Sequence, residues 1–370
     1  MFQSVRRPAA IAAAIFSSAV VVLSPRAYAQ DSEQWTKCKN AARSIAFDQA
    51  IHSCDALVKS EQGRNLAVAY YHRANAYRNN GDLDRAVADF GEVIRLDPKL
   101  TAAFISRANI HRQRGARDQA IADYTTALAL DPKLASVFNA RAFEYSQKGD
   151  QQHALADYSQ VIKLDPKNSQ ALLNRGLIHR ARNELDQAAA DLTAALKLDP
   201  KSATAYINLA LVHAAKGDPD SAIAEFSEAI RLDPKQPVAL LNRGQLYRGK
   251  KDFDHAVEDF SAVIALDAKS TIAYTSRGDA YRNKGDLDRA AADFSEAIKL
   301  DPKQAFAFHS RGIVRHSKRE LREAIADYDE AIRLDPALAT AYTNRGRAFQ
   351  DIGEMDRAFQ DFERAKKLQR

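Results

Sequence analysis

The feature that most constrains the fold of this chain is a short sequence, Leu-Asp-Pro-Lys or a close variant, that returns every 34 residues. Seven of the 11 prolines directly follow its aspartate, and Ala268 once takes the place of proline. Self-similarity at a period of roughly 20–50 residues indicates a repeat architecture rather than a set of ordinary domains. The aspartates that mark the period are Asp97, Asp131, Asp165, Asp199, Asp233, Asp267, Asp301 and Asp335.

Each period contains two stretches with helical spacing of their large and small residues. Tyr70, Ala74 and Tyr77 are separated by four and three residues, and Ala86 precedes Phe90 by four. A glycine between the two stretches favours a tight turn, and the proline after each aspartate cannot continue the second helix. Each period is therefore predicted to fold as two antiparallel helices of about 13 residues.

The period, the columns of alanine and aromatic residues and the terminal proline together resemble the tetratricopeptide repeat family. The resemblance implies an all-α fold, a right-handed α-solenoid of tandem helix-turn-helix repeats, since one hairpin cannot bury its apolar faces alone. We expect a divergent N-terminal hairpin at residues 30–66 and nine repeats over residues 67–370. The expected bounds of the repeats are 67–100, 101–134, 135–168, 169–202, 203–236, 237–270, 271–304, 305–338 and 339–370.

One column departs from the usual family pattern, because arginine stands where leucine is common in the first helix. A column of aspartates follows 16 residues later; the exceptional repeat carries Leu209 and Glu225. The guanidinium fork matches a carboxylate, so we predict a partly buried Arg–Asp pair in each of the other repeats. The alternative is that these arginines face a ligand. They are Arg73, Arg107, Arg141, Arg175, Arg243, Arg277, Arg311 and Arg345.

Residues 1–29 have the features of a secretory signal peptide. Two arginines precede an apolar run at 8–23, and small residues stand at Ala27 and Ala29, the positions that a signal peptidase reads. The alternative is an uncleaved anchor, but the apolar run is shorter than the roughly 20 residues that span a bilayer. We predict cleavage after Ala29 and a periplasmic or secreted protein with no membrane span after cleavage.

The two cysteines of the chain lie in the predicted N-terminal hairpin. Cys54 falls in the aromatic column and Cys38 near the small-residue column, so they should lie on facing sides of one hairpin. In an exported protein this placement predicts a disulfide. Two buried free thiols are the alternative.

Composition and motifs exclude several functions. Three positive charges of the net +6 lie at Arg6, Arg7 and Arg26, within the predicted signal peptide, so nucleic acid is not an expected partner. The sequence contains no Gly-x-Ser-x-Gly elbow, no phosphate-binding glycine loop and no His-Glu-x-x-His motif. The repeats use the whole predicted mature chain, so we expect neither enzyme activity nor a bound cofactor or metal.

A polar column on the first helices is a candidate for binding the backbone of a peptide. An asparagine amide both donates and accepts hydrogen bonds, as a peptide backbone requires. Three consecutive asparagines look similar to the asparagine ladder of O-linked N-acetylglucosamine transferases, which holds extended peptides; the alternative is a row of solvated polar residues. The column contains Asn174, Asn208, Asn242, Ser276, Ser310 and Asn344.

A second column on the first helices is rich in arginine. It favours an acidic or carboxylate-bearing ligand, whereas the alternative is a set of solvated charges that keep the surface soluble. The polar final turn, with Lys366 and Lys367, is compatible with a monomer. The arginines of the column are Arg78, Arg112, Arg180, Arg248 and Arg282.

The function predicted from these patterns is a noncatalytic protein-interaction scaffold. It should bind a peptide segment or a protein partner, with a preference for acidic groups, in the concave groove that the first helices of such a solenoid line. The alternative is an accessory or assembly subunit of an envelope enzyme or a secretion complex that binds through its outer face.

Overall fold

The computed structural model of the chain describes residues 33–40 and 45–369, and within these ranges every regular element is an α-helix. The predicted signal peptide, residues 1–29, lies outside the described residues. The helices fall into two compact units that divide after Leu164. No helix in the described part of the chain combines the length and the apolar character needed to cross a membrane.

The first unit consists of successive helical hairpins, in which each odd-numbered helix packs against the helix that follows it. Neighbouring hairpins of the unit also pack on each other, because helices α2 and α3, α4 and α5, and α6 and α7 are in contact. Its helices are α1 (Glu33–Lys39), α2 (Phe47–Ser60), α3 (Gly63–Asn79), α4 (Leu83–Leu96), α5 (Thr101–Gln113), α6 (Arg117–Leu130), α7 (Ala135–Gln147) and α8 (Gln151–Leu164).

The second unit repeats the same hairpin arrangement from residue 165 onward. Each second helix also packs against the first helix of the following hairpin, so the predicted all-α array of tandem helical hairpins is confirmed. Its helices are α9 (Ser169–Ala181), α10 (Leu185–Leu198), α11 (Ala203–Ala215), α12 (Pro219–Leu232), α13 (Pro237–Gly249), α14 (Phe253–Leu266), α15 (Thr271–Lys284), α16 (Leu287–Leu300), α17 (Ala305–Ser317), α18 (Leu321–Leu334), α19 (Ala339–Asp351) and α20 (Met355–Leu368).

The turns inside the hairpins show why glycine recurs there. Gly285 ends α15 with a φ of 89°, in the left-handed region that glycine adopts most readily. The next residue, Asp286, caps α16 by accepting a hydrogen bond from the backbone N–H of Arg289 at 3.1 Å. Where glycine is missing, Lys251 and Arg319 take the same backbone conformation with φ of 63° and 65°.

The core of each hairpin forms where small residues of one helix face large residues of the other. The alanines equivalent to Ala290 and the aromatic rings equivalent to Phe294 are almost fully buried, except that Phe362 in the last repeat is half-buried. Gly312 lies so close to Tyr328 that a β-carbon there would stand 2.6 Å from Cε1 of the ring. The small residues therefore allow the two helices of a hairpin to approach closely.

The divergent first hairpin contains the predicted disulfide, which is confirmed. Cys38 in α1 and Cys54 in α2 are bonded, and both side chains are buried beside Trp35 and Leu57. The bond joins two short elements whose own apolar cluster is small. Disulfides form and persist in oxidising compartments, which is the environment that this bond indicates.

Candidate interaction surface

The predicted Arg–Asp pairs are confirmed in every repeat that carries the two residues. In α15, Nε of Arg277 donates to Oδ2 of Asp293 at 2.9 Å and Nη2 donates to Oδ1 at 2.8 Å. These hydrogen bonds raise the pKa of Arg277, so the guanidinium keeps its charge. The arginines paired in this way are Arg73, Arg107, Arg141, Arg175, Arg243, Arg277, Arg311 and Arg345.

Most of these guanidinium groups also reach the preceding hairpin, which the sequence analysis did not foresee. Nη1 of Arg277 donates to Oγ of Ser261 at 3.0 Å, and Nη1 of Arg311 donates to Oγ of Ser295 at the same distance. In the first unit, Nη1 of Arg73 donates to Asp55 at 2.8 Å. The column therefore links consecutive repeats, and its hydrogen-bond donors are used within the fold.

The exceptional repeat replaces this pair with a different one. Glu225 in α12 lies 2.9 Å from Nδ1 of His213 in α11, where other repeats would place the arginine–aspartate fork. Because no arginine offsets its burial, the pKa of Glu225 is raised to about 7. The repeat with Leu209 therefore contains a half-buried carboxyl group whose pKa is raised toward neutrality.

We expect the titration of Glu225 to make the stability of the second unit depend on pH. Below pH 4.5, its ordinary pKa, the group is protonated in the folded and the unfolded chain alike. As the pH rises through 4.5 and past 7, the unfolded chain loses this proton first, so the free energy of unfolding should fall by about 1–3 kcal/mol. Urea titrations of the chain and of Glu225→Gln over this pH range measure the difference.

The matched control for this prediction is Glu228→Gln. Glu228 lies on the same helix, is more exposed and pairs with Arg231 at 2.9 Å. It should leave the pH dependence of unfolding unchanged. An identical pH dependence in Glu225→Gln and the parent chain would contradict the assignment to Glu225.

The predicted polar column is only partly accessible. Asn208 is buried and donates from Nδ2 to the carbonyl oxygen of Thr204 at 2.7 Å, and Asn242 donates in the same way to Val238 at 2.7 Å. Asn174 is half-buried and accepts a hydrogen bond from Nε2 of Gln170 at 3.0 Å. The asparagines thus bond along their own helices and do not form an uninterrupted row of open amides.

Of the remaining members of the column, two serines are buried and Asn344 is half-buried. Ser310 is 2% exposed, and Ser276 is buried and accepts a hydrogen bond from Nε2 of Gln245 at 2.8 Å. Asn344 lies with Nδ2 at 3.0 Å from Nε2 of His309. Side chains on neighbouring first helices therefore cover or engage these three polar groups.

The arginine column is divided between the two units. Arg78 and Arg112 belong to the first unit, where Arg78 is half-buried and Arg112 is exposed. Arg180, Arg248 and Arg282 belong to the second unit, each as the twelfth residue of its helix. The structure thus brings the last three together on one unit.

The three arginines of the second unit have few internal partners. Arg282 pairs with Asp279 at 2.9 Å, and Arg248 donates to Oε1 of Gln245 at 2.7 and 3.0 Å. No carboxylate in the described ranges lies within ion-pair distance of Arg180, and its buried Nε has no hydrogen-bond partner there. Burial lowers the pKa of Arg180. This guanidinium is thus partly removed from water without a counter-charge.

Two features of the first helices escaped the sequence analysis. Glu144 stands in a column that is otherwise apolar, as at Ile110, and is 2% exposed. Burial raises its pKa, while the charge of Arg112 opposes that shift. A lone acidic residue in an apolar column is the signal that could have revealed it.

The second feature is an exposed apolar row in the second unit. Val238, Ile272 and Phe306 are 41%, 39% and 49% exposed, and each is the second residue of its helix in α13, α15 and α17. Large apolar residues at this place in three successive repeats could have been found from the sequence. Exposed apolar side chains that form a contiguous row often mark a binding surface.

The described residues contain no group of three or more histidine, cysteine, aspartate or glutamate side chains placed to hold a metal ion. The charged side chains of the first helices instead form pairs or stand alone. The side chains of the first helices can therefore contribute hydrogen bonds, charge and apolar contacts to binding.

Family models match most of the chain beyond residue 66. Those described as tetratricopeptide repeat match residues 67–100, 179–237, 241–305 and 339–370. One described as TPR repeat matches residues 108–149, 142–180 and 314–353. No curated protein matches the chain.

The chain is similar to several solved structures. The C-terminal part of a TPR repeat-containing protein from Cytophaga hutchinsonii is 20% identical, with 64% of this chain and 97% of that one covered and a TM-score of 0.57. YrrB, described as a TPR protein with an unusual peptide-binding site, is 25% identical over 50% of this chain and 95% of its own, with a TM-score of 0.46. MamA is 28% identical over 44% and 94%, with a TM-score of 0.42.

The family matches agree with the repeated hairpins, the buried alanine and aromatic columns and the 34-residue period. Tetratricopeptide repeats are in general noncatalytic and serve as protein-interaction scaffolds. The chain belongs to the tetratricopeptide repeat family.

Proposed function

We propose that the second unit binds an acidic segment of a partner protein on its first-helix face, defined as the surface that α9, α11, α13, α15, α17 and α19 present. The observation that carries this proposal is Arg180, a half-buried guanidinium without a carboxylate partner among the described residues. A partly desolvated charge with no counter-charge is unfavourable. A ligand carboxylate would supply the missing partner and form charge-assisted hydrogen bonds.

The surroundings of Arg180 support an acidic ligand. Helix α11 contacts α9 and carries Ala214 at the position equivalent to Arg180, so α11 places no long side chain there to compete for the guanidinium. Arg248 follows at the same position in α13 and is held by the neutral Gln245. The charge of Arg248 also lies close enough to Asp279 to oppose the rise in the pKa of that carboxyl, so Arg180 is the guanidinium group of this row without a nearby carboxylate among the described residues.

The apolar row adds a second requirement for the ligand. Val238 and Arg248 are ten residues apart on α13, as are Ile272 and Arg282 on α15. Ten residues of α-helix extend about 15 Å, so the apolar row and the arginines form two parallel edges of one face. The segment that fits has apolar side chains along one edge and acidic side chains along the other.

The polar column lies between these two edges. Asn242 is four residues after Val238 and six before Arg248, and Asn174 and Asn208 have the same place in α9 and α11. We assign hydrogen bonds to the ligand backbone to Asn174 and Asn242, which are half-buried, and not to Asn208, which is buried. Ser276, Ser310 and Asn344 are less able to bind the ligand backbone, because neighbouring side chains cover them or lie within hydrogen-bonding distance.

The proposal includes an extracytoplasmic location, periplasmic or secreted. The Cys38–Cys54 disulfide supports an oxidising compartment. The predicted signal peptide, residues 1–29, is consistent with export. In such a compartment the unit would hold a partner in place without acting on it chemically.

Binding of a designed probe tests this function. The probe is a dye-labelled extended peptide in which leucines and glutamates alternate, so that the two kinds of side chain lie on opposite edges, and its matched control carries glutamines instead of the glutamates. We expect the glutamate peptide to bind, with an affinity that falls as salt rises. Arg180→Gln should weaken binding by about tenfold, as expected for the loss of a hydrogen bond to a charged group. Fluorescence anisotropy measures both.

The control variant is Arg231→Gln, because Arg231 lies on the second helix α12 and pairs with Glu228. It should leave the affinity unchanged. Replacing Asn174 and Asn242 together with alanine should weaken the binding of both peptides without lowering the melting temperature of the protein. Equal binding of the glutamate and glutamine peptides, or equal effects of Arg180→Gln and Arg231→Gln, would refute the proposed site.

A further inference from the structure

The last described helix, α20, exposes two large apolar side chains. Met355 is 61% exposed and Phe359 is 66% exposed, more than any other large apolar residue in the second unit. Ile352, in the preceding turn, is 36% exposed. These side chains lie outside the first-helix face, so ligand binding on that face does not explain why they are exposed.

The equivalent side chains of the preceding repeat show which contacts such a surface makes when another hairpin packs on it. Leu321 and Ile325 stand 34 residues earlier than Met355 and Phe359. Ile325 is 9% exposed because it packs in one cluster with side chains of the next first helix, including Phe349. Met355 and Phe359 therefore occupy stacking positions, and no described helix follows α20 to cover them.

The charges along α20 indicate the direction in which a partner helix would pack. Asp356 lies in its first turn, after Glu354, which pairs with Arg357 at 2.7 Å, whereas Arg364, Lys366 and Lys367 follow Glu363 near its end. Neither Lys366 nor Lys367 forms an ion pair with any described residue, and Asp356 forms none either. A helix with the same charge order is complementary to α20 when it runs antiparallel, and its dipole then also opposes that of α20.

We infer that α20 is the interface for a second copy of this chain, with the two α20 helices packed antiparallel around a two-fold axis. Such an interface is self-complementary, as two-fold dimers require. Phe359 and Met355 of each copy are covered by the other copy, and the aliphatic stem of Lys366 adds apolar contact beside Met355. The acidic start of each helix lies beside the basic end of its partner.

A head-to-tail arrangement, with α20 stacked on the first hairpin of another copy, fits less well. The apolar residues of α1, Trp35 and Cys38, are buried within their own hairpin. The exposed residues of α1 are all polar: Glu33, Gln34, Thr36 and Lys37. They provide no surface that would cover Phe359.

Sedimentation equilibrium of the full oxidised chain tests the interface. We expect a monomer–dimer equilibrium in which Phe359→Glu raises the dissociation constant at least about tenfold. The control is Phe306→Glu, which places the same charge on the exposed ring of the first-helix face and should leave dimerisation unchanged. Circular dichroism should show the same helix content for both variants.

A charge exchange tests the antiparallel direction. Asp356→Lys should weaken the dimer because it brings like charges together, and Asp356→Lys combined with Lys366→Asp should restore it. A chain that stays monomeric at every concentration, a dimer insensitive to Phe359→Glu, or a double variant that is no tighter than Asp356→Lys would each overturn the inference. Neither the Phe359→Glu variant nor the charge exchange changes a residue of the peptide-binding surface.

Discussion

Replacing Arg277 with leucine will destabilise the α15–α16 hairpin by about 3–5 kcal/mol, the usual cost of removing one partner of a buried ion pair. Asp293 is 5% exposed and would lose both hydrogen bonds from the guanidinium, at 2.9 and 2.8 Å. The carboxylate would then remain buried without a counter-charge. Ser261 of the preceding hairpin would also lose its hydrogen bond from Arg277. The packing between this hairpin and the preceding one should therefore weaken as well.

Native-state hydrogen exchange is the appropriate measurement, since stability in a repeat array is distributed over neighbouring units. The amides of α15 and α16 should lose protection while those of the first unit keep it. The matched control is Arg289→Gln, because Arg289 pairs with Asp286 at the surface of the same hairpin, and exposed ion pairs contribute little to stability.

A second variant distinguishes the loss of the contacts of Arg277 from the effect of leaving Asp293 charged and unpaired. Arg277→Leu with Asp293→Ala removes both partners, and we expect it to be more stable than Arg277→Leu alone. The column tolerates leucine in principle, as Leu209 shows. A double variant as unstable as the single one would mean that packing of the arginine, rather than its charge pair, stabilises the hairpin.

Loss of the Cys38–Cys54 bond is the other change with a large expected effect. The bond closes a loop with a sequence separation of 16 residues, and a loop of this size contributes about 3 kcal/mol in the chain-entropy model. Helix α1 has only seven residues, too few to persist without the bond and the cluster around it. Cys38→Ser with Cys54→Ser should therefore release α1 from the first unit.

Hydrogen exchange of α1 and α2, and limited proteolysis near residue 40, would detect this release. Adding a reductant should reproduce the effect in the parent chain and change nothing in the double serine variant. Thiol labelling of the denatured, unreduced chain should find no reactive cysteine. Two reactive cysteines would show that the bond is not formed.

Local periodicity was enough to predict most of the fold. The spacing of Ala86 and Phe90, repeated nine times, determined the helical hairpin, because helix geometry depends on neighbours three and four residues apart. The Arg–Asp pairs were also predictable, since two residues at fixed places in one hairpin always meet. The same reasoning placed Cys38 opposite Cys54.

The candidate site was predicted less well, because accessibility depends on what neighbouring repeats place over a side chain. Ser276 and Ser310 belong to the same column as Asn242, yet both are buried. Arg282 has a carboxylate beside it, whereas Arg180, at the same place in its helix, has none among the residues that the structure describes. A column of identical residues in the sequence is thus a set of different environments in the fold.

The sequence by itself determined the secondary structure, the hairpin and the pairs within it, all of which follow from spacings inside one 34-residue period. Only the tertiary structure decided which polar groups stay open, why Glu225 titrates near neutrality and that Phe359 is left uncovered. These properties arise where one repeat packs on the next, and the burial of a side chain there depends on residues about one period away in the chain.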